Sequence, residues 1–124
     1  MAIVTVSAKG RNSSPVMSPT NAIGRNTATV VIVDDVITAG TAVREAIDMI
    51  RANGSEVAGL LVALDRQERG ADDRSPIQAL AEDEGIPTVA VATLDDVIAY
   101  VERAGLDDET LRSIRAYRAS YGVK

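Results

Sequence analysis

One stretch decides the predicted fold, an apolar run followed by two acids and a loop with one glycine: Val30-Val31-Ile32-Val33-Asp34-Asp35-Val36-Ile37-Thr38-Ala39-Gly40-Thr41-Ala42. Consecutive β-branched residues are typical of a strand that is buried on both faces, as in a parallel sheet. After the loop, apolar residues recur at helical spacing from Val43 to Ile50. The pattern predicts a strand that carries two carboxylates to the carboxyl edge of a sheet, directly before a helix N-terminus. Open α/β sheets bind their ligands at that edge.

The chemistry of this loop favours a phosphate group. The first amides of a helix have no intrahelical partner, and the helix dipole places roughly +0.5 charge there. Gly40 permits close approach of the backbone to an anion, and Thr38 and Thr41 add hydroxyl donors. A branched side chain at Gly40 is therefore expected to project at the phosphate.

The two acids are suited to bind different chemical groups from the phosphate that the loop favours. A carboxylate only accepts hydrogen bonds, so Asp34 and Asp35 fit hydroxyl groups or a bound metal ion. Because they are neighbours on a strand, their side chains are expected to point to opposite faces. A phosphate at the loop and hydroxyls at the acids together describe a ribose 5-phosphate. The local pattern alone is equally compatible with an acidic turn and a helix capped by Thr.

The composition indicates a single domain without disulfides. The chain has 124 residues, no Cys, three Tyr and neither Phe nor Trp, so its core must be built from aliphatic residues. The absence of Cys is compatible with a reducing cytoplasm, and no apolar run reaches the length of a membrane span. The net charge of −5 argues against sequence-independent binding of nucleic acid.

Charge is distributed unevenly along the chain. All 18 acidic residues lie at or after Asp34, whereas residues 1–33 carry only three basic residues. Residues 1–29 are rich in Ser, Thr, Asn, Gly and Pro, which predicts a flexible arm with a short strand only at Ala2–Val6. Residues 30–124 are expected to form the α/β domain.

Strands and helices alternate in the rest of the chain. Ser75 and Thr93 are placed to cap helices, and Gly54, Gly85 and Gly105 are placed to end them. The order β-α-β-α-β-α-α predicts an α/β fold of three layers, α/β/α, with a mostly parallel sheet, right-handed crossovers and helices on both faces. The predicted elements are a strand near 30–34, a helix at 41–53, a strand at 56–64, a helix at 76–84, a strand at 87–92, a helix at 94–104 and a last helix from about 107.

Two segments in this order resemble the type I phosphoribosyltransferases. The stretch Val30 to Ala42 is similar to their phosphoribosyl-diphosphate signature, and Ala63-Leu64-Asp65-Arg66-Gln67-Glu68-Arg69-Gly70 resembles a segment of bacterial orotate phosphoribosyltransferases. Similarity at Arg44-Glu45-Ala46-Ile47 and at Ala116-Tyr117-Arg118 extends the resemblance to about Val123. It implies a type I fold truncated at the N-terminal side. The front half of the family, with its hood over orotate and its mobile basic loop, is not matched.

The resemblance also implies roles for individual residues. Asp34 and Asp35 would contact the ribose hydroxyls and take part in catalysis, and Thr38 and Arg66 would contact orotate. Mg²⁺ would be carried mainly by the diphosphate substrate, with no metal site of the protein's own. The residues implied to bind phosphoribosyl diphosphate are Asp34, Asp35, Val36, Ile37, Thr38, Ala39, Gly40, Thr41 and Ala42.

The residue type and position of Arg66 support its implied role. It follows the second strand at the same edge as the acids, and a planar guanidinium suits a carboxylate through a bidentate pair. The alternative is a solvated loop charge, since Asp65, Glu68 and Arg69 can pair among themselves. Arg69 is expected to be structural. The remaining acids of this region are expected to be solvated faces and not a metal site: Asp72, Asp73, Glu82, Asp83 and Glu84.

The resemblance implies an enzyme that transfers the phosphoribosyl group of 5-phosphoribosyl 1-diphosphate to orotate. It further implies a cytoplasmic homodimer of pyrimidine biosynthesis, without nucleic-acid or membrane partners. An alternative is a catalytically idle fragment or regulatory relative that binds nucleotide, because the chain has no His and only two Lys, Lys9 and Lys124. A remote alternative is a signalling receiver domain, which would require a Lys that is absent between residues 10 and 123.

Overall fold

The computed structural model describes residues 1–6, 28–105 and 108–123. Each helix and strand predicted from the sequence is present close to its expected bounds, and the predicted α/β class is confirmed. In chain order the elements are β1 (Ala2–Val6), β2 (Thr29–Val36), α1 (Thr41–Ala52), β3 (Glu56–Asp65), α2 (Pro76–Glu84), β4 (Thr88–Thr93), α3 (Leu94–Ala104) and α4 (Asp108–Tyr121).

The sheet is mostly parallel, in the strand order β1-β2-β3-β4. β2, β3 and β4 run parallel, while β1 pairs antiparallel with β2, from Ala2 opposite Val33 to Val6 opposite Thr29. The short strand predicted at Ala2–Val6 therefore forms, and it supplies hydrogen-bond partners to an edge of β2 that would otherwise be unpaired. The rest of the predicted arm, residues 7–27, lies outside the described residues.

The hydrophobic core lies between one face of the sheet and the helices α1 and α2. Its buried members are Val30, Ile32, Ile37, Val43, Ala46, Ile47, Ile50, Leu60, Val62, Leu80 and Ile86. The three parallel strands follow each other in the sheet without a reversal, so right-handed crossovers place α1 and α2 on the same face.

The other face of the sheet is less covered than the sequence predicted. Val89 and Val91 point to this face because they alternate with Ala90, which pairs with the buried Val62. Their exposed fractions are 59% and 73%. Both crossover helices, α1 and α2, lie on the core side, so neither of them covers these two valines.

The helix ends follow the signals in the sequence. The Ser75 hydroxyl accepts a hydrogen bond from the Gln78 amide, and the Gln78 side chain accepts one from the Ser75 amide. Thr93 and Asp96 form the same reciprocal arrangement at the start of α3. Within the described residues, no helix combines the length and the apolar composition that crossing a membrane requires.

Ion pairs connect α1 to α2 beside the core. Arg44 donates to Asp83 and to Glu84 at 2.9 and 3.0 Å, and Arg51 donates to Glu84 at 2.8 Å. Asp83 also accepts from Arg74, and the two guanidinium groups hold the pKa of its carboxyl below the ordinary value. Exposed pairs of this kind contribute little to stability, because solvent screens them. Most of the acids expected to be solvated therefore take part in a network of ion pairs.

Candidate functional site

An open cavity of about 280 Å³ lies between the end of β2 and the start of α1. It is lined by Asp34 and residues 36–43, so it gathers all of the predicted binding stretch except Asp35. β2 continues through both acids as far as Val36, beyond the end predicted near residue 34. It does so because the parallel ladder with β3 continues, with Asp34 opposite Val62 and Val36 opposite Leu64.

The start of α1 offers backbone amides to this cavity. Its N-cap is Gly40, with no side-chain cap among the described residues and no acid in the first turn. The amide of Arg44 is bonded to the Gly40 carbonyl at 3.0 Å, so the amides of residues 41–43 precede the first intrahelical bond. α2 and α3, by contrast, begin with capping boxes. The open amides and the positive end of the helix dipole therefore suit an anion.

Gly40 is constrained by the core as well as by the loop. Its φ is +74°, and a Cβ added there would lie 3.1 Å from Cδ1 of Leu80, which is fully buried. The expectation that a side chain at Gly40 would project at a phosphate differs from this geometry. The positive φ directs the missing Cβ toward α2, so a side chain would press on the core beneath the loop.

The two acids occupy different environments. Asp34 lines the cavity with 14% of its side chain exposed, and its carboxylate lies 3.5 Å from the amino group of Met1. Asp35 is exposed and accepts a hydrogen bond from the amide of Val36 at 2.8 Å, which lowers the pKa of its carboxyl. The divergence expected for strand neighbours is present. Asp34 can contact a ligand in the cavity directly, whereas Asp35 does not line the cavity and is an exposed, ionised carboxylate.

Thr38 and Ala39 connect this cavity to a second one of about 370 Å³. The second cavity extends toward α2 and has Arg44 and Arg74 in its wall, both engaged by acids of α2. Thr38 is exposed between the two cavities. Its hydroxyl is therefore accessible from both sides of the loop.

Arg66 follows β3, the strand next to β2, at the same edge of the sheet as the acids. Its Nη2 lies 3.0 Å from a carboxylate oxygen of Glu68, and 35% of its side chain is exposed. Its Nε is buried and has no hydrogen-bond partner among the described residues. Arg66 lines neither of the two cavities. Glu68 thus pairs with Arg66, whereas Arg69 lies 3.8 Å from Asp73, so the expected pairing of Asp65, Glu68 and Arg69 among themselves is not what the structure shows.

Sequence reasoning assigned no role to Tyr117, whose hydroxyl donates a hydrogen bond to Glu68. The two residues are 49 positions apart, so no local pattern could indicate the contact. Arg69, expected to be structural, donates to the carbonyl of Ser120 at 2.9 Å. Among the residues that the structure describes, no three His, Cys, Asp or Glu side chains are grouped as metal ligands.

Proteins that are similar to this chain in sequence are named orotate phosphoribosyltransferase. The chain is 48% identical over 89 residues to the orotate phosphoribosyltransferase of Vibrio parahaemolyticus and 50% identical over 89 residues to that of Chromobacterium violaceum. These alignments cover 72% of this chain and 42% of each relative, so the chain spans less than half the length of the curated relatives it matches.

Solved structures that resemble this chain include an orotate phosphoribosyltransferase and a UMP synthase. The crystal structure of orotate phosphoribosyltransferase from Francisella tularensis superposes with a TM-score of 0.67 at 33% identity, over 77% of this chain and 47% of that one. UMP synthase of Leishmania donovani superposes with a TM-score of 0.62 at 25% identity, over 77% of this chain and 20% of that one. The family model of the phosphoribosyl transferase domain matches residues 1–98, which include β1, the cavity and Arg66. The chain therefore belongs to the phosphoribosyl transferase domain family.

Proposed function

We propose that the chain carries the site of an orotate phosphoribosyltransferase. The reaction transfers the phosphoribosyl group of 5-phosphoribosyl 1-diphosphate to orotate and yields orotidine 5′-monophosphate and pyrophosphate. The observation that supports it best is the cavity that both Asp34 and the uncapped start of α1 line. The names of the similar proteins support orotate as the acceptor base.

The residues of the cavity suit the parts of such a substrate. The amides of residues 41–43, with the hydroxyls of Thr38 and Thr41, would hold the 5-phosphate, because they combine donors with the positive end of a helix dipole. Asp34 and Asp35 would accept hydrogen bonds from the ribose hydroxyls. We assign orotate to Thr38 and Arg66, since a guanidinium can bind the orotate carboxylate through two parallel hydrogen bonds.

The reaction develops positive charge on the ribose, which the carboxylates of Asp34 and Asp35 can stabilise. The bond between ribose C1 and the diphosphate oxygen breaks, a bond from a ring nitrogen of orotate to C1 forms, and that nitrogen loses its proton. Positive charge develops on the ribose in between. Carboxylates fixed beside the ring favour that charge without reorganisation, which is the usual origin of a large rate effect. Asp34, which lines the cavity, and the adjacent Asp35 are the proposed catalytic residues.

Mg²⁺ is part of this proposal. The ion usually keeps several waters and binds through one or two carboxylates together with substrate phosphates. The donor set fits this mode, because Asp35 offers an exposed, ionised carboxylate and Asp34 offers a second one in the cavity. When bound with the diphosphate, the ion would neutralise part of its charge.

The binding part of the proposal is tested by thermal denaturation with ligands. Ribose 5-phosphate and orotidine 5′-monophosphate should raise the melting temperature, since a ligand at 100 times its dissociation constant adds about 2.7 kcal/mol to the free energy of unfolding. Ribose at the same concentration should have no effect, because it lacks the phosphate that the loop would hold. Equal shifts with ribose and ribose 5-phosphate would contradict a phosphate site.

A second candidate function is nucleotide binding without turnover. It is favoured by the absence of His and the presence of only two Lys, since cations that meet the charge of the leaving diphosphate are then scarce. Losing one such preorganised group commonly lowers the rate by about 10²–10³. We therefore expect the 124-residue chain to consume orotate slowly or not at all in the presence of phosphoribosyl diphosphate and Mg²⁺. The absorbance of orotate measures this, and turnover at a typical enzymatic rate would contradict the expectation.

We further propose that the protein acts in the cytoplasm as a homodimer, in pyrimidine biosynthesis. The resemblance to orotate phosphoribosyltransferases supports both statements, and the exposed Val89 and Val91 provide apolar surface for association. Sedimentation of the purified chain over a range of concentrations tests the dimer.

A further inference from the structure

The loop that carries Arg66 is held by the end of the chain. The segment 117–123, here named the C-terminal clamp, forms an antiparallel bridge between Gly122 and Glu68. The amide of Arg69 donates to the Tyr121 carbonyl at 2.8 Å, and the amide of Val123 donates to the Gln67 carbonyl at 2.8 Å. The backbone on the carboxyl side of Arg66 is thus fixed by residues about fifty positions away in sequence.

A chain of side chains leads from the clamp to the Arg66 guanidinium. The Tyr117 hydroxyl donates to one carboxylate oxygen of Glu68, and the other oxygen of Glu68 lies 3.0 Å from Nη2 of Arg66. Glu68 therefore uses its two oxygens for two different partners. Its side chain is 24% exposed, which shields this pairing from solvent more than a fully exposed pair would be.

One nitrogen of the Arg66 guanidinium is paired with Glu68, and another has no hydrogen-bond partner among the described residues. Arg66 Nε is buried and has no acceptor among the described residues, although buried donors are nearly always hydrogen-bonded. The protein thus orients the group through Glu68 without satisfying all of its donors. The buried Nε is not accessible to a ligand, but 35% of the Arg66 side chain is exposed, so the guanidinium can still receive a carboxylate from solution.

We propose that Tyr117 and Glu68 are positioning residues that orient Arg66 toward the carboxylate of the base. The inference rests on the proposed function, in which Arg66 binds orotate. A guanidinium recognises a carboxylate through a planar fork, so its orientation matters more than that of a point charge. Tyr117 holds the carboxylate of Glu68 through a hydrogen bond, and Glu68 holds one end of the fork through its ion pair with Nη2. Neither residue needs to touch the substrate.

The test is the Tyr117→Phe variant, which removes one hydroxyl and changes no charge. The ring remains, and so does its tilted contact with the ring of Tyr121 at a centroid distance of 4.9 Å and an interplanar angle of 44°. Calorimetric titration should show orotidine 5′-monophosphate bound about three- to tenfold more weakly, the effect of losing one hydrogen bond, with ribose 5-phosphate affinity unchanged. The matched control is Tyr121→Phe, because the Tyr121 hydroxyl has no hydrogen bond within the described residues. It should change neither affinity.

A second arm tests whether Tyr117 acts through Arg66. In a chain that already carries Arg66→Lys, Tyr117→Phe should cause no further loss of affinity for orotidine 5′-monophosphate, since coupled residues are not additive. An additional loss of the same size, or a loss that affects ribose 5-phosphate equally, would overturn the positioning role. If Arg66→Lys weakens nucleotide binding while Tyr117→Phe does not, this inference fails and the proposed function stands. If the parent chain binds both ligands with equal affinity, the proposed orotate site itself fails.

Discussion

Gly40→Val is expected to abolish the rise in melting temperature caused by ribose 5-phosphate. A branched residue at a φ of +74° costs roughly 1–2 kcal/mol, and its Cβ would lie 3.1 Å from the buried Leu80. Overpacking of this kind adds typically about 1–3 kcal/mol. Relief requires either a shift of Leu80 by a few tenths of an ångström or a movement of the loop. Because Leu80 is fully buried, we expect the loop to move and to displace the amides at the start of α1. Thermal denaturation with and without ribose 5-phosphate measures the effect.

Gly54→Val is the matched control for this variant. Gly54 has the same φ of +74°, but a Cβ added there would meet no atom within 4 Å. It follows α1 at the end opposite to the cavity, so the variant should lose stability through the backbone alone and keep the ligand-induced shift. An undiminished shift in Gly40→Val would mean that the phosphate binds elsewhere. Loss of the shift in both variants would mean that general destabilisation, and not the loop, is responsible.

Arg66→Lys is expected to weaken the binding of orotidine 5′-monophosphate by about 10- to 100-fold, because lysine keeps the charge but lacks the planar group that can form two parallel hydrogen bonds. Ribose 5-phosphate should bind as before, since Arg66 does not line the cavity at the start of α1. Calorimetric titration measures the affinity for each ligand. The difference between the two affinities separates the contribution of the base from that of the sugar phosphate. It therefore tests the identity of the acceptor separately from the sugar phosphate.

The control for this variant is Arg103→Lys. The Arg103 side chain is exposed and donates to the carbonyl of Ala99 one turn earlier in α3, so the change makes the same substitution on the surface. Both ligands should bind to it as to the parent chain. If Arg66→Lys weakens the binding of both ligands equally, Arg66 stabilises the loop or binds the phosphate and does not select the base.

The sequence alone determined the elements and their order. The apolar run from Val30 to Val33 indicated a buried strand, and the capping residues Ser75 and Thr93 marked the starts of two helices. These features are local, because capping and strand burial depend on residues within a few positions of each other. The position of the two acids beside a helix start was local in the same sense. Sequence reasoning could therefore place the candidate site at the edge of the sheet.

Only the tertiary structure decided what surrounds that site. Leu80 lies beside the space that a Cβ on Gly40 would enter, and Tyr117 donates a hydrogen bond to Glu68. Both pairs join residues that are far apart in sequence, and no periodicity encodes them. The unequal cover of the sheet also depends on how the strands are ordered in space, which leaves Val89 and Val91 exposed. Local patterns specify which residues form an element. The packing of elements against one another decides which side chains meet, because that depends on the three-dimensional arrangement of the whole domain.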